Sequence, residues 1–266
     1  MKTGIFEAVH HCLMISDPVG KCEQVPRLAE WLAADPAMFD EGYPVEPVTI
    51  PGRPDRPELV DPMQVPRRRP GSQQGRAALV HAIAHIEFNA INLALDAAYR
   101  FRGMPAQFYS DWISVAIDEA RHFEMLQRRL QEMDCCYGDF PAHNGLWEMA
   151  VKTAHSCLVR MALVPRVLEA RGLDVTPGMV QRLSSAGDKD TVAVLEIILA
   201  EEVRHVAIGT HWFRYCCQLQ GKPPLPTFLE LLQKNYSGTL KGPFNLDARY
   251  RAGFTEAEMS ALTAGL

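Results

Sequence analysis

The sequence predicts an all-α protein, and three observations support that fold class. Apolar residues recur at helical spacing through four long segments, 72–102, 106–133, 145–171 and 189–219. No segment shows the alternation of apolar and polar residues that is typical of a half-buried strand. The composition, 47% hydrophobic and 22% charged, supports a sizeable core and excludes a globally disordered chain. Four long helices, paired by short turns, predict a four-helix bundle.

The first 70 residues predict two short helices followed by an extended strap. Helical spacing covers residues 4–14 and 24–34. Residues 36–70 then hold nine of the chain's 19 prolines, and proline at that density blocks regular helix and interrupts sheet ladders. We therefore expect an N-terminal extension, 1–70, that wraps a central bundle domain, 71–220.

The first two long helices are followed by a long connector. Gly103 and Pro105 end the first helix, and residues 134–144 separate the second helix from the third. Eleven extended residues span about 36 Å, whereas a 20-residue helix spans about 30 Å. The connector is therefore long enough to cross the whole length of a bundle, as it does in bundles with one long crossover.

The third long helix is predicted to stop at Gly172. Thr176 and Pro177 then resemble the start of a short helix, 177–185, and Gly187 separates that helix from the fourth long one. An interruption between Gly172 and Pro177 would leave an opening through which O2 or a substrate could enter.

After residue 220 the sequence predicts a C-terminal helical extension, 221–266. A proline-marked turn precedes a helix at 226–236, and a loop follows. Thr255 and Glu258 then have the spacing of a capping box, which predicts a last short helix.

Charge and cysteine usage exclude several classes of protein. The formal net charge is −5, whereas nucleic-acid-binding domains are usually strongly basic. No run approaches the roughly 18 apolar residues of a membrane helix, and the N-terminal segment is too polar for a secretory signal. The seven cysteines form no Cys-x-x-Cys pair, which excludes a rubredoxin-type iron site and favours reduced thiols. We therefore expect a cytoplasmic protein that binds neither membranes nor nucleic acid.

Two of the long helices carry the same five-residue pattern, which contains residue types that bind metals. The pattern reads Asp-Glu-Ala-Arg-His at 118–122 and Glu-Glu-Val-Arg-His at 201–205. A Glu and a His three residues apart lie on one helix face, so the two side chains can bind one metal ion. The spacing alone is common by chance, but its repetition within a repeated pattern is much more specific.

Each of the other two long helices supplies one further glutamate. Glu87 and Glu169 lie, like both Glu-His pairs, on otherwise apolar helix stripes, where a carboxylate must be paired, neutralised or metal-bound. In each predicted hairpin, the midpoint between the two glutamates falls at the turn, at residue 103 in the first and beside Gly187 in the second. Folding each hairpin back would bring its two glutamates level, about 24 Å from the turn.

The predicted metal site therefore contains four carboxylates and two imidazoles, from Glu87, Glu119, His122, Glu169, Glu202 and His205. Two divalent ions would neutralise the four carboxylates. Oxygen-rich ligation with one imidazole per metal suits iron or manganese better than structural zinc. We expect two iron ions, with manganese or a mixed manganese–iron pair as alternatives, and no catalytic residue beyond the ligands.

These ligands, in this order, resemble the di-iron carboxylate proteins of the ferritin-like superfamily. The segments HAIAHIEFNAINLALDA and LEARGLDVTP are similar to an uncharacterised bacterial ferritin-like domain family. The resemblance implies that Glu119 and Glu202 bridge the two metals. It also implies that each remaining glutamate shares a metal with one histidine, Glu87 with His122 and Glu169 with His205. The long strap and the Ala at position 120, where bacterioferritins have a haem-ligating Met, do not fit an iron-storage ferritin.

Four flanking residues are predicted to support the ligands, namely Asp118, Glu201, Arg121 and Arg204. Metal-bound histidines usually donate their second N–H to a carboxylate, so we expect Asp118 to support His205 and Glu201 to support His122. The two arginines would balance these acids. A solvated salt-bridge face is the alternative interpretation.

The predicted site favours an oxidoreductase of the hydroxylase type that activates O2 or peroxide. Its substrate would be an unidentified organic molecule, and its electrons would come from an external donor. A non-catalytic protein that binds or buffers iron is the alternative, and a structural bundle whose acids pair with arginine is a third interpretation. The sequence leaves the oligomeric state open.

Other polar groups have simpler interpretations. His81 and His85 share a face of the first long helix that points away from the predicted metals, and we expect them to be packed. Glu7 and His10 also have the metal-ligand spacing, but no partner helix is indicated for them. The run at 67–69, three arginines, could contact phosphates, although we favour a role in pinning the strap to acidic surface.

Overall fold

The computed structural model describes residues 4–34, 42–65, 71–235, 240 and 242–264. These residues form helices and no strand, and one isolated bridge pairs Leu59 with Ala142. The structure therefore confirms the all-α class. The chain divides into two compact units, Met1–Val151 and Lys152–Leu266.

The first unit is built on five helices: α1 (Ile5–Met14), α2 (Pro18–Ala34), α3 (Gln73–Arg100), α4 (Ala106–Gln131) and α5 (Gly145–Lys152), the last of which ends at the unit boundary. The Ser72 hydroxyl caps α3 by accepting a hydrogen bond from the Gly75 N–H. α3 and α4 form a hairpin, with α1 against α3 and α2 against α4. α2 begins earlier than the sequence suggested, and it continues through Pro26.

The apolar character of α3 reflects its place in the core. By length and hydropathy it is the one helix among the described residues that could cross a membrane. However, 78% of its most apolar stretch is buried inside the protein. The core helix of a soluble protein has this composition and this burial.

The described part of the proline-rich segment, 42–65, is an extended strap, as predicted. The Glu46 N–H donates to the Tyr99 hydroxyl at 2.7 Å, and the Gly52 N–H donates to the Leu13 carbonyl at 3.0 Å. Lys21 is fully buried beneath the strap and donates to the carbonyls of Leu13 at 2.9 Å and Gly52 at 2.8 Å. Its third hydrogen bond goes to the Asn92 side chain on α3. The arginines at 67–69 lie outside the described residues.

The connector after α4 packs along α3 and covers the two buried histidines. The Gly138 N–H donates to Nε2 of His81 at 2.9 Å. His85 contacts the Tyr137 hydroxyl through Nδ1 at 2.9 Å and the His143 carbonyl through Nε2 at 3.1 Å. The interpretation of these histidines as packed residues is confirmed.

The second unit contains α6 (Cys157–Leu163), a π-turn (Val164–Glu169), α7 (Ala170–Ser185), α8 (Lys189–Leu219), α9 (Pro224–Asn235), α10 (Leu246–Arg251) and α11 (Glu256–Ala264). α6, the π-turn and α7 form a nearly continuous rod that packs against α8. α9 contacts α6 and α8, and α10 contacts α7 and α8.

The prediction of a single third helix over 145–171 is wrong. The chain instead forms α5, leaves the helical conformation between residues 153 and 156, and resumes as α6. The predicted interruption at Gly172–Pro177 is wrong as well, because α7 runs through both residues. Tertiary contacts outweigh the local preference here, since Leu173 is fully buried and Asp174 binds Arg249 from α10. The hypothesis of an opening at a helix break is therefore withdrawn.

The C-terminal extension follows its prediction except in one place. The Glu258 N–H donates to the Thr255 hydroxyl at 3.1 Å, and the Thr255 N–H donates to the Glu258 carboxylate at 2.8 Å, which confirms the capping box. The segment predicted as a loop, however, contains α10. Its N-cap, Asn245, accepts a hydrogen bond from the Ala248 N–H.

Candidate metal centre

The α3–α4 hairpin brings three of the predicted ligands together. Glu87 on α3 and Glu119 and His122 on α4 are 5%, 1% and 0% exposed. Each offers one ligand atom, and these atoms all lie within 4.8 Å of one another. Nδ1 of His122 is 3.2 Å from a carboxylate oxygen of Glu87 and 3.4 Å from one of Glu119.

The sequence places this cluster inside an apolar core. On α3, Glu87 lies one turn from Ala84 and Ile91, both of which are fully buried. On α4, fully buried Ala116 and Phe123 flank the Glu-His pair. Two carboxylates are thus held in a dry interior, where an uncompensated charge is strongly unfavourable.

The distances within the cluster fit a bound metal ion. Two ligand atoms that lie about 2.1 Å from a metal and at right angles to each other are about 3.0 Å apart. The two contacts of His122, 3.2 and 3.4 Å, are close to that separation. Both contacts use the same ring nitrogen, which carries at most one proton. A cation among the three side chains can interact with all of them at once.

The cluster also perturbs the acidity of its own members. Burial, together with the nearby charge of Glu119, raises the pKa of Glu87. Burial opposes protonation of His122, but hydrogen bonds and charges from Glu119 and Glu87 exceed that effect and raise its pKa. Without a metal, both shifts favour the protonated forms of Glu87 and His122, and a divalent ion would displace those protons.

The second unit contains the other Glu-His pair, on α8. Nδ1 of His205 lies 3.2 Å from a carboxylate oxygen of Glu202, and the two side chains are 0% and 13% exposed. Glu169 is the last residue of the π-turn, and its Oε2 atom is buried. The assembly of all six side chains into one centre stays a prediction.

Two of the predicted supporting residues, Asp118 and Arg121, form an ion pair on α4. Arg121 donates to Asp118 at 3.2 Å, with side chains 45% and 20% exposed, so this pair lies towards the surface of α4. This pair fits the solvated salt-bridge face equally well, so the supporting role of Arg121 stays a prediction. The roles predicted for Asp118 and Glu201 beside the two histidines, and for Arg204, stay predictions.

The local backbone conformation at Glu169 differs from the one that the sequence predicted. The prediction assumed a regular α-helix, whereas the residue ends a π-turn. Pro165 is the local signal that could have indicated this, because proline lacks an N–H and clashes with the carbonyl four residues earlier in an α-helix.

Fold and cluster together define an all-α protein with a buried carboxylate–histidine group that could hold a metal ion. The chain belongs to the family described as "Protein of unknown function (DUF455)", whose model matches residues 14–260. It is 44% identical over 268 residues to an uncharacterised protein of Haemophilus influenzae, with 97% of this chain and 93% of that protein covered. No solved structure matches the chain.

Proposed function

We propose that this protein is a di-metal carboxylate oxidoreductase that binds two iron ions, or manganese in one or both positions. It would use O2 or peroxide to oxidise an organic substrate, with electrons from an external donor. The observation that carries the proposal is the buried Glu87, Glu119 and His122 cluster within α3 and α4. We also propose a cytoplasmic location.

The donor set of this cluster supports a hard or borderline metal. Carboxylate oxygens and one imidazole, with no thiolate among them, suit iron and manganese. With both carboxylates ionised and the imidazole neutral, as metal ligation requires, the cluster carries two negative charges, and one divalent ion neutralises them. The two contacts of His122 are within a few tenths of an ångström of the separation expected for two ligands of one metal.

The second half of the proposed centre rests on the repeated sequence pattern. Glu202 and His205 repeat the spacing of Glu119 and His122 within a second hairpin, and their side chains are in contact. With Glu169, they would supply the second metal with the same donors as the first. The proposal of two metals per chain depends on this repeat.

Bound iron would supply the electrons and open coordination positions that O2 chemistry requires. The side chains of this protein would hold the metals and keep the interior dry. The buried apolar residues around the α4 motif, among them Ala116 and Phe123, would exclude bulk water from the reaction.

Metal analysis of protein purified without added metal tests the proposal. We expect two iron or manganese ions per wild-type chain, and we expect Glu119→Gln to reduce bound metal at least tenfold because the buried set loses a charged ligand. Glu124→Gln, at an exposed position on the same helix, is the matched control and should keep its metal. Wild-type protein that binds neither metal after anaerobic reconstitution contradicts the proposal.

Oxygen exposure then separates an enzyme from an iron-buffering protein. Protein loaded anaerobically with two ferrous ions per chain is mixed with O2 and followed by optical absorption. A transient absorption band, or turnover of an added organic substrate, supports the oxidoreductase. Slow growth of a ferric core beyond two ions per chain would instead indicate iron buffering.

A further inference from the structure

The π-turn at Val164–Glu169 changes the helical register of the residues that follow it. The Ala170 N–H bonds to the carbonyls of Pro165, five residues back, and Val167, three residues back, instead of to that of the residue four back. A π-turn accommodates one extra residue, so every later side chain is rotated by about 100° relative to an uninterrupted α-helix. Glu169 is the residue that this rotation affects at the end of the turn.

One buried arginine inside the turn is attached to the C-terminal segment. Arg166 is 0% exposed and donates from Nη2 to the Glu258 carboxylate on α11 at 2.6 Å. Its guanidinium carbon lies 4.1 Å from the ring centre of Phe228 and 4.6 Å from those of Phe213 and Phe254. The arginine is thus enclosed by α8, α9 and the segment before α11.

Burial of this guanidinium is energetically costly, and stability alone does not explain it. Within the described part of the chain, Nε and Nη1 of Arg166 are buried and have no hydrogen-bond partner. Cation–π contacts compensate only part of the desolvation of a guanidinium. Apolar residues of similar volume often replace a buried ion pair with no loss of stability. Glu258 could also complete its capping box without contacting Arg166.

We infer that Arg166 and Glu258 are positioning residues for Glu169: the C-terminal helix α11 holds the π-turn in the register that directs this carboxylate inward. The inference rests on the proposed function in so far as Glu169 is a metal ligand. It assigns a role to the C-terminal extension, which contributes no predicted ligand.

The double variant R166M/E258Q tests the inference without leaving one buried charge unpaired. The glutamine can still accept the capping-box hydrogen bond from Thr255. In its crystal structure we expect the Ala170–Pro165 hydrogen bond to be lost and the Glu169 side chain to turn away from the interior. In a Co²⁺ titration we expect an affinity at least tenfold weaker than in the wild type and an altered visible spectrum, with little change in the thermal midpoint. R166K, which keeps the charge, should restore part of the affinity.

The second buried ion pair of this unit provides a matched control. Arg249 on α10 binds Asp174 on α7 at 2.7 Å and lies against the Phe254 ring. It also donates to the carbonyl of Ala170, the first residue of α7, at 3.4 Å, so these hydrogen bonds go to α7 and not to residues 164–169. R249M/D174N also replaces a buried ion pair and should leave the Co²⁺ affinity and spectrum unchanged.

Two outcomes separate this inference from the proposed function. If R166M/E258Q keeps the π-turn and the wild-type Co²⁺ spectrum while E169Q changes that spectrum, the positioning role is wrong and the metal centre stands. If the wild type binds no metal, the proposed function fails, and the crystal structure of the double variant still decides whether the ion pair holds the π-turn.

Discussion

The buried histidines of this protein have pKa values shifted in opposite directions, because their neighbours differ. Burial lowers the pKa values of His81 and His85 to about 4. His122 is equally buried, but two carboxylates raise its pKa. His81 and His85 are therefore neutral packing residues under the connector, whereas His122 belongs to the charged cluster.

The depressed pKa values of His81 and His85 predict a loss of stability in mild acid. The unfolded chain binds protons at these positions near pH 6.5 and the folded chain only near pH 4, so stability is complete above pH 6.5 and declines towards pH 4. Between pH 7 and pH 5, each histidine should lower the free energy of unfolding by on the order of 2 kcal/mol. Urea unfolding at both pH values measures the difference.

His85→Gln provides the specific test of that loss. Glutamine can accept from the Tyr137 hydroxyl and donate to the His143 carbonyl, so the fold should persist while the loss becomes smaller. His155→Gln, at an exposed position, is the control and should retain the wild-type difference. A wild-type free energy of unfolding that is equal at both pH values would contradict the explanation.

Sequence reasoning reached the α3–α4 part of the site because its signals are local. A charged residue on an apolar stripe, the Glu-x-x-His spacing and the turn at residue 103 are all visible in the chain, and Glu87, Glu119 and His122 indeed meet. The buried Arg166 was not predictable, because its partners lie 47 to 92 positions away. Nothing in the local sequence distinguishes it from a solvated arginine.

At the level of elements, the π-turn packs unusually closely against α8, at Gly209. A Cβ atom at Gly209 would lie 2.2 Å from Cβ of Pro165, so only glycine allows this contact. Pro165 disfavours a regular α-helix here, and Gly209 allows the turn to pack closely against the neighbouring helix. The sequence contains both residues, but it does not show that they face each other.

Two glycine substitutions should therefore have opposite effects. Gly209→Ala should destabilise the protein by about 1–3 kcal/mol, because the added methyl group forces the π-turn away from α8. Gly172→Ala, in α7 with nothing within 4 Å of the added carbon, should stabilise it by about 0.5–1 kcal/mol. Thermal unfolding of both variants measures this; equal shifts would rule out the close contact as the cause.

Helix starts and ends were predictable wherever local signals agreed with packing. α3, α4 and α8 begin and end within two residues of the sequence expectation, because capping residues and apolar periodicity coincide there. The continuity of α7 through Gly172 and Pro177, and the presence of α10, were not predictable, because they depend on a contact between Asp174 and Arg249, 75 positions apart. Gly172 and Pro177, both within α7, locally predicted an interruption instead of a continuous helix.

For the whole molecule, metal binding should be visible as stability. A ligand that binds only the folded chain adds about 2.7 kcal/mol at a hundred times its dissociation constant. For a chain of this size, Fe²⁺ or Mn²⁺ should thus raise the thermal midpoint by on the order of 5 °C. Differential scanning calorimetry under anaerobic conditions measures the shift. Glu119→Gln should lose it, and the same shift in that variant would indicate binding elsewhere.

The buried Lys21 allows the attachment of the strap to the helices beneath it to be followed by chemical modification. Amine-acylating reagents modify exposed lysines within seconds to minutes, but this amino group has no solvent-accessible surface, and its three acceptors come from α1, the strap and α3. Reagent can reach the nitrogen only after these segments separate. The rate at which mass spectrometry detects the acylated Lys21 peptide therefore reports the opening of the first unit, without any substitution in the chain.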